Sequence, residues 1–307
     1  MNLEKLDGWI WVDGEFTPWQ NARIHVLTHT LHYGSGVFEG VRSYPTQNGG
    51  VAIFRLNCHT KRLLNSCRIL NIKVPFSLEQ LNEAQLNVLR KNQLSRAYIR
   101  PLVFLGAEEL GLHAKNLSTR VIVAASSWGS YFGDDTLKDG IAVGISSYSR
   151  LVSSSSLLKA KACGNYLNSY LAAREASQNG FHEALLLDKE GYVAEGSAQN
   201  FFIIRNGKIY TPDTAAILEG ITRDSVFHIA KNLGIPIYEK RITRDEVYVA
   251  DEAFFSGTAT EILPIKSVDH RQIGAGHIGP ITQMIQTTFF DIVSGRDAKY
   301  QEWLSFI

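Results

Sequence analysis

A chain of 307 residues is too long for one small domain and short for three, so two domains sharing a site are expected. With 45% apolar and 20% charged residues it has the composition of a water-soluble globular protein, not of a disordered or fibrous one. A net charge of +1, no run of Lys and Arg, and no apolar stretch of about 18 residues argue against nucleic-acid partners and against a membrane span. The opening, with Glu4, Asp7 and Trp9, lacks the charged and apolar regions of a signal peptide, so a cytoplasmic address is expected. Cys58, Cys67 and Cys163 have neither metal-ligand spacing nor an even count for disulfides. Cys58 and Cys67 fall on opposite faces of one predicted helix, about 13 Å apart along its axis, and read as reduced structural thiols.

In chain order, strands are predicted over 9–12, 51–54, 97–105 and 120–125, where branched and aromatic residues concentrate. Between them, Leu56, Leu63, Leu64, Cys67 and Leu70 form the stripe of an amphipathic helix that starts near Asn57 and runs to residue 71. A second helix over about 78–91 follows Pro75. This half reads as α+β. Residues 126–138, with Trp128-Gly129-Ser130-Tyr131-Phe132-Gly133, break the pattern and read as a linker. A strand over 141–148 follows, and then a serine-rich loop. From Glu183 an antiparallel meander is expected, with a turn at Lys189-Glu190-Gly191 and a hairpin at Asn206-Gly207, a dipeptide that tolerates positive φ. That places Glu195 on or beside a strand. Ile221, Val226, Ile229 and Leu233 space out a helix stopped by Gly234 and Pro236. A last helix is predicted over 278–293.

Three features carry chemistry. Lys161 lies in the small, apolar stretch Lys161-Ala162-Cys163-Gly164 just before a predicted helix of Tyr166, Leu167, Tyr170 and Leu171. Burial there would make its amine a nucleophile, although by spacing alone Lys159 competes equally. Glu195 ends a strand and is followed by the small residues Gly196-Ser197-Ala198, which would admit a flat ring; alone it is equally an ordinary strand-end glutamate. Leu218-Glu219-Gly220-Ile221-Thr222 opens a helix, where free N–H groups and the dipole attract anions, unless Thr222 is only an N-cap. Thr258 and Glu261 have capping-box spacing, and Ser256-Gly257-Thr258-Ala259 reads as a second helix opening. Arg62, beside the stripe of the first helix, could reach a phosphate, although a lone helix arginine is usually solvated. A lysine, an acid and an anion site are what pyridoxal 5′-phosphate chemistry requires.

The segment Glu195 to Phe202, read on through Ile209, Thr211, Leu218, Gly220, Ile221 and Arg223, resembles the signature of class IV aminotransferases. The sequence is most similar to the bacterial branched-chain amino acid aminotransferases among fold-type IV enzymes. Lys161, Gly164, Asn165 and Tyr166 match the lysine motif, which favours Lys161 over Lys159; Cys163 stands where glycine is expected. The amino-terminal half matches in His32-Tyr33-Gly34, Val37-Phe38-Glu39-Gly40, His59 with Arg62-Leu63, and Tyr98-Ile99-Arg100-Pro101.

The resemblance implies a two-domain α+β fold: a smaller α+β domain over 1–127, a linker over 128–137, and a larger, β-rich pseudo-barrel domain over 138–307 that binds pyridoxal 5′-phosphate. It implies Lys161 as catalytic residue and cofactor anchor, Tyr166 on the cofactor's phenolic oxygen, Glu195 on its ring nitrogen, and Arg62, Ile221, Thr222 and Thr258 around its phosphate. Tyr98 and the Thr258 and Ala259 backbone are implied for the substrate α-carboxylate, Phe38, Tyr33, Trp128 and Tyr131 for its side chain, and Arg100 is the candidate for glutamate's second carboxylate. The implied reaction is transamination of leucine, isoleucine and valine with 2-oxoglutarate, without a metal. The implied assembly is at least a homodimer, with the segment around Leu110-Gly111-Leu112 supplied by the partner subunit. A D-amino acid aminotransferase or an aminodeoxychorismate lyase on the same scaffold is the rival reading, opposed by Phe38 and Tyr98-Ile99-Arg100. A non-catalytic cofactor-binding protein is opposed by the intact lysine, acid and anion site.

Overall fold

The structure is a computed structural model that describes residues 3–307. It divides into two compact units. The chain up to Trp128, with Ala160–Gly164 and Val293–Ile307, forms the first; Gly129–Lys159 and Asn165–Ile292 form the second.

The first unit is built on an antiparallel sheet in the order Leu304–Phe306, Val51–Phe54, Val41–Pro45, Ala97–Leu105, Thr119–Ser127, Trp9–Val12 and Glu15–Pro18, with Gly36–Phe38 also paired to Ala97–Leu105. Along its two longest strands side chains alternate between faces. Ala97, Ile99 and Val103, with Val121, Val123 and Ala125, join the core with Leu63, Cys67, Leu81, Ala84 and Val88 of the helices Leu56–Ile69 and Leu78–Asn92. Tyr98 and Arg100 therefore belong to the other face, away from this packing. The first helix ends just short of the expected residue 71: Leu70 is its C-cap, and Asn71 turns left-handed at φ 55, a conformation asparagine tolerates. The second opens on a capping box in which Ser77 Oγ accepts from Gln80 N–H and Gln80 Oε1 accepts from Ser77 N–H.

In the second unit the order is Val193–Gly196, Glu183–Leu187, Ile141–Ile145, Glu261–Val268, Glu252–Gly257, Asn200–Arg205, Lys208–Thr211 and Ile237–Glu239. Ile141–Ile145 runs parallel to both its neighbours, and its link to Glu183–Leu187 passes through the helix Tyr166–Gln178, as parallel pairing requires. A tight turn, Gly196 N–H to Gln199 O at 2.7 Å, joins Val193–Gly196 at one end of the order to Asn200–Arg205 far along it. The sheet thus curls back on itself as a half-barrel around Leu185, Val193, Phe201, Phe255 and Leu263.

Three expectations change. The strand expected over 141–148 stops at Ile145, because Ser146 and Ser147 turn away to bind the Glu175 carboxylate. Residues 256–261 open no helix: they turn one strand into the next, with Glu261 at φ 57, so their capping-box spacing belongs to a β-turn. Thr222 is not an N-cap; Gly220 is, and Thr222 is buried one residue inside the helix Ile221–Asn232. The three cysteines are unbridged. Among the described residues no helix is long and apolar enough to cross a membrane, and no group of three or more His, Cys, Asp or Glu is placed to hold a metal ion.

Candidate functional site

In the first unit the segment around Lys161 is fixed through its backbone. Lys161 N–H donates to Ser66 Oγ (3.0 Å), its carbonyl accepts from Phe38 N–H (3.0 Å), and Ala162 bridges to Val37. Ala160 and Ala162 are buried on either side. A Cβ on Gly34 would stand 2.7 Å from Gly164 Cα, so the lysine motif is packed against backbone. The Lys161 ammonium lies 5.1 Å from the Phe38 ring centroid. Cys163 is a thiol here: burial pushes its pKa up, although Arg100 acts against this.

The same Phe38 ring has the Arg100 guanidinium 4.6 Å from its centroid. Arg100 also lies over Tyr98 (5.3 Å), and its Nη2 donates to the Tyr98 hydroxyl (3.3 Å). No carboxylate pairs with Arg100 among the described residues. Tyr98 packs against Trp128, with ring centroids 5.3 Å apart. A Cβ on Gly40 would fall 1.9 Å from the Tyr98 hydroxyl, so only glycine leaves Tyr98 in place. Beside Phe38, the buried Glu39 accepts from Arg62 Nε (2.6 Å) and from His59 Nδ1 (2.8 Å). Tyr33 is outside this group, exposed and tilted against His29.

In the second unit Glu195 lies near the end of its strand, with donors at both carboxylate oxygens. Arg150 Nε reaches Oε1 at 2.7 Å, and Asn200 Nδ2 and Leu218 N–H each reach Oε2 at 3.3 Å. Asn200 also donates to Leu218 O (3.0 Å), which fixes the approach to the helix Ile221–Asn232. That helix starts at Gly220 without a side-chain cap, so Ile221 and Thr222 stand where a helix holds unsatisfied N–H groups. Thr258 and Ala259 occupy the turn after Glu252–Gly257, flanked by the buried hydroxyls of Ser256 and Thr260, neither with a hydrogen-bond partner. The turn after Glu195 is braced by Glu183, whose carboxylate accepts from Gln199 Nε2 (2.9 Å) and whose pKa burial raises. Tyr166 begins the helix Tyr166–Gln178. Tyr131 is exposed and edge-on to Phe132 at 4.7 Å.

The two neighbouring lysines differ in company. Lys159 Nζ forms an ion pair with Glu219 (2.8 Å) and donates to Thr214 O, so its ammonium is engaged on the loop before the helix, whereas Lys161 stands over an aromatic ring.

A family model for class IV amino-transferases matches residues 36–268. The chain belongs to that family. It is 52% identical over 307 residues, all of both chains, to a branched-chain-amino-acid aminotransferase of Pseudomonas aeruginosa. Its fold is similar to that of a T.th. branched-chain amino acid aminotransferase solved with pyridoxamine 5′-phosphate (TM-score 0.95, 46% identity, 98% of each chain covered). A second structure of that protein, complexed with N-(5′-phosphopyridoxyl)-L-glutamate, aligns at a TM-score of 0.93 with 45% identity over 98% of each chain.

Within this class IV chain, sequence reasoning named Phe38, Tyr98, Arg100, Trp128 and Lys161, which the first unit brings together, and Glu195, Ile221 and Thr222, which the second gathers. It gave no role to Arg150, which follows a serine-rich stretch and carries no periodic or motif signal. Nor did it give one to Asn200, Glu39 or His59, although all three lie in matched segments. His59 and Arg62 stand three apart, the spacing that puts two helix side chains on one face.

Proposed function

We propose that this protein transfers the amino group of leucine, isoleucine and valine to 2-oxoglutarate, using pyridoxal 5′-phosphate. One arrangement carries the reading: the Lys161 amine and the Arg100 guanidinium, which has no carboxylate partner among the described residues, stand over one aromatic ring, Phe38. A nucleophilic lysine, an apolar wall and a spare cation are what a site needs to take both an isobutyl side chain and a dicarboxylate.

The residues fit the cofactor. The uncapped start of the helix at Gly220 and the unpartnered hydroxyls of Ser256 and Thr260 are donors suited to a phosphate, and Glu195 is a buried carboxylate suited to a ring nitrogen. Arg62, Ile221, Thr222 and Thr258 would hold the phosphate, Tyr166 the phenolic oxygen, Glu195 the ring nitrogen and Lys161 the aldehyde carbon. When bound, the cofactor supplies an electron sink that makes the substrate α-hydrogen acidic.

Lys161 Nζ moves the proton away from the substrate α-carbon and delivers it on the far side of the transfer, as base and then acid. Glu195 keeps the ring nitrogen protonated, and Arg150, Asn200 and Leu218 N–H hold its carboxylate in place for that task. Tyr98 and the Thr258–Ala259 backbone orient the α-carboxylate. Phe38 and Trp128 exclude water from the side chain, with Tyr33 and Tyr131, both exposed in the single chain, proposed to join them, and Arg100 receives the second carboxylate of glutamate, the amino acid whose phosphopyridoxyl adduct the T.th. relative was solved with.

We also propose a homodimer, supported by the exposed apolar side chains Leu31 and Leu112 in the first unit and Leu167 and Tyr170 in the second. A cytoplasmic placement accords with the three free thiols. Amino transfer from leucine to 2-oxoglutarate, assayed beside D-alanine, tests the reading: turnover with D-alanine and none with leucine would overturn it.

A further inference from the structure

We infer that Glu183 is a positioning residue for the cofactor's ring nitrogen: by fixing the turn over 196–199 it holds Glu195 and Asn200, which flank that turn, at the separation the acid needs. This rests on the reading that Glu195 pairs with that nitrogen.

All of these groups belong to the second unit. Glu183 opens the strand Glu183–Leu187, against which Val193–Gly196 pairs. That pairing slips between Val193 and Glu195, so register alone does not aim the Glu195 side chain, and the backbone after it matters. There a turn, closed by Gly196 N–H to Gln199 O at 2.7 Å, delivers the chain to Asn200, whose Nδ2 reaches Glu195 Oε2 at 3.3 Å. The acid and one of its donors are thus the two residues on either side of the turn, and its shape sets their separation.

Glu183 sets that shape through hydrogen bonds of fixed direction. It is buried, and its Oε1 accepts from Ala184 N–H at 2.7 Å while Oε2 accepts from Gln199 Nε2 at 2.9 Å. Ser197 donates to it as well, through both side chain and backbone. Burial raises the Glu183 pKa, and these donors act against the rise; no cation is among them. Because a carboxylate offers only acceptors, the Gln199 amide must turn its nitrogen toward Glu183 and its oxygen the other way, where Oε1 accepts from Ala198 N–H at 3.1 Å. A reversed amide would set donor against donor at Ala198 and acceptor against acceptor at Glu183. A Cβ on Gly196 would lie 2.6 Å from that Oε1, so the glycine leaves the amide its room. Each residue of the turn is therefore tied back to Glu183 directly or through Gln199, and the carboxylate orients the set.

A purely structural Glu183 would support the fold and leave the ring-nitrogen contact alone. The cofactor-stripped, full-length chain separates the two roles through its affinities for pyridoxamine 5′-phosphate and for the 1-deaza analogue, in which C–H replaces the ring nitrogen. Their ratio isolates that contact, because the phosphate, ring and amine are common to both; the melting temperature of the stripped chain reads stability separately. Glu195→Ala is expected to lower the ratio by about 10- to 150-fold, the worth of a charge-assisted hydrogen bond. Glu183→Gln, whose amide accepts at only one of its two ends, is expected to lower it by about three- to tenfold. Gln199→Met, which removes the link but keeps the Glu183 carboxylate, is expected to lower it by a similar factor. Should Glu183→Gln fail to fold, Gln199→Met decides alone. A ratio that Glu195→Ala collapses but that Glu183→Gln and Gln199→Met change by less than about threefold, whatever their melting temperatures, overturns the positioning role and leaves the Glu195 reading standing. A ratio unmoved by Glu195→Ala overturns both.

Discussion

Lys159 and Lys161 are two positions apart, and composition gives no reason to prefer either. Their surroundings do. Lys159 is held by Glu219 and by loop carbonyls, while Lys161 is held by its backbone and leaves its amine over Phe38. Lys161→Ala should abolish turnover and the visible absorbance of lysine-bound cofactor, whereas Lys159→Ala should retain both; equal losses in an absorbance titration would remove the assignment. Arg100 allows a sharper test. Burying a leucine side chain against Phe38 needs no cation, but a second carboxylate gains about 1.5–3 kcal/mol from a charge-assisted hydrogen bond. Arg100→Leu should therefore depress kcat/KM for glutamate and 2-oxoglutarate by about 10- to 150-fold relative to leucine and its oxo acid. Half-reaction rates that fall equally for both pairs would show that Arg100 only shapes the sheet. At this scale the sequence was legible where a motif runs unbroken, as from Glu195 to Phe202. It was silent where partners come from distant segments: Arg150 meets Glu195 across 45 positions, and Glu39 meets Arg62 across 23.

Among elements, legibility followed periodicity. The helices Leu56–Ile69, Leu78–Asn92 and Ile221–Asn232 each bury one stripe, and the spacing of their apolar residues marks them. Gly36–Phe38 and most of Val41–Pro45 are buried on both faces, so no alternation betrays them as strands, and Leu304–Phe306 is too short to signal before it pairs with Val51–Phe54. The Thr258–Glu261 spacing misled because a hairpin turn and a helix start both favour small polar residues. The start of the helix Ile221–Asn232 can be tested directly. A Cβ at Gly220 would lie 2.0 Å from Asn200 Oδ1, and Asn200 donates to both Glu195 and Leu218 O, so an alanine there must displace the side chain that links the acid to the helix opening. Gly220→Ala is expected to cost about 1–3 kcal/mol of stability, lowering the melting temperature by about 2–10 °C, and to loosen the cofactor on dialysis. An unchanged melting curve with full cofactor retention would show that Asn200 has no such linking role.

At the scale of the whole molecule, the outer surface of the helix Tyr166–Gln178 is the feature a single chain leaves unexplained. Its inner face is small: Ala172 and Ala176 pack with Ala184 and Leu186, and Ser169 is buried one turn earlier. Its outer face is not, for Leu167, Tyr170 and Leu171 follow at i, i+3 and i+4 with Leu167 64% and Tyr170 59% exposed. The first unit has its own apolar projection in Leu112, 79% exposed, and the backbone of its loop is anchored where His29 Nε2 meets Gly111 O at 3.1 Å. Large apolar side chains clustered on one helix face mark an interaction surface more often than a solvated one. Burying three such side chains gives roughly 1.5–3 kcal/mol each, enough to decide whether an ordinary-sized interface holds at micromolar concentration. Tyr170→Glu would place a charge in the middle of that face. The unmodified chain is expected to sediment as a dimer or larger assembly at micromolar concentration, and the Tyr170→Glu chain as a monomer with an unchanged far-ultraviolet spectrum. Leu112→Glu should weaken the assembly in the same way if the loop around Gly111 belongs to the same contact. A monomeric unmodified chain in analytical ultracentrifugation would end the dimer reading, and a dimer untouched by Tyr170→Glu would move the interface off this helix.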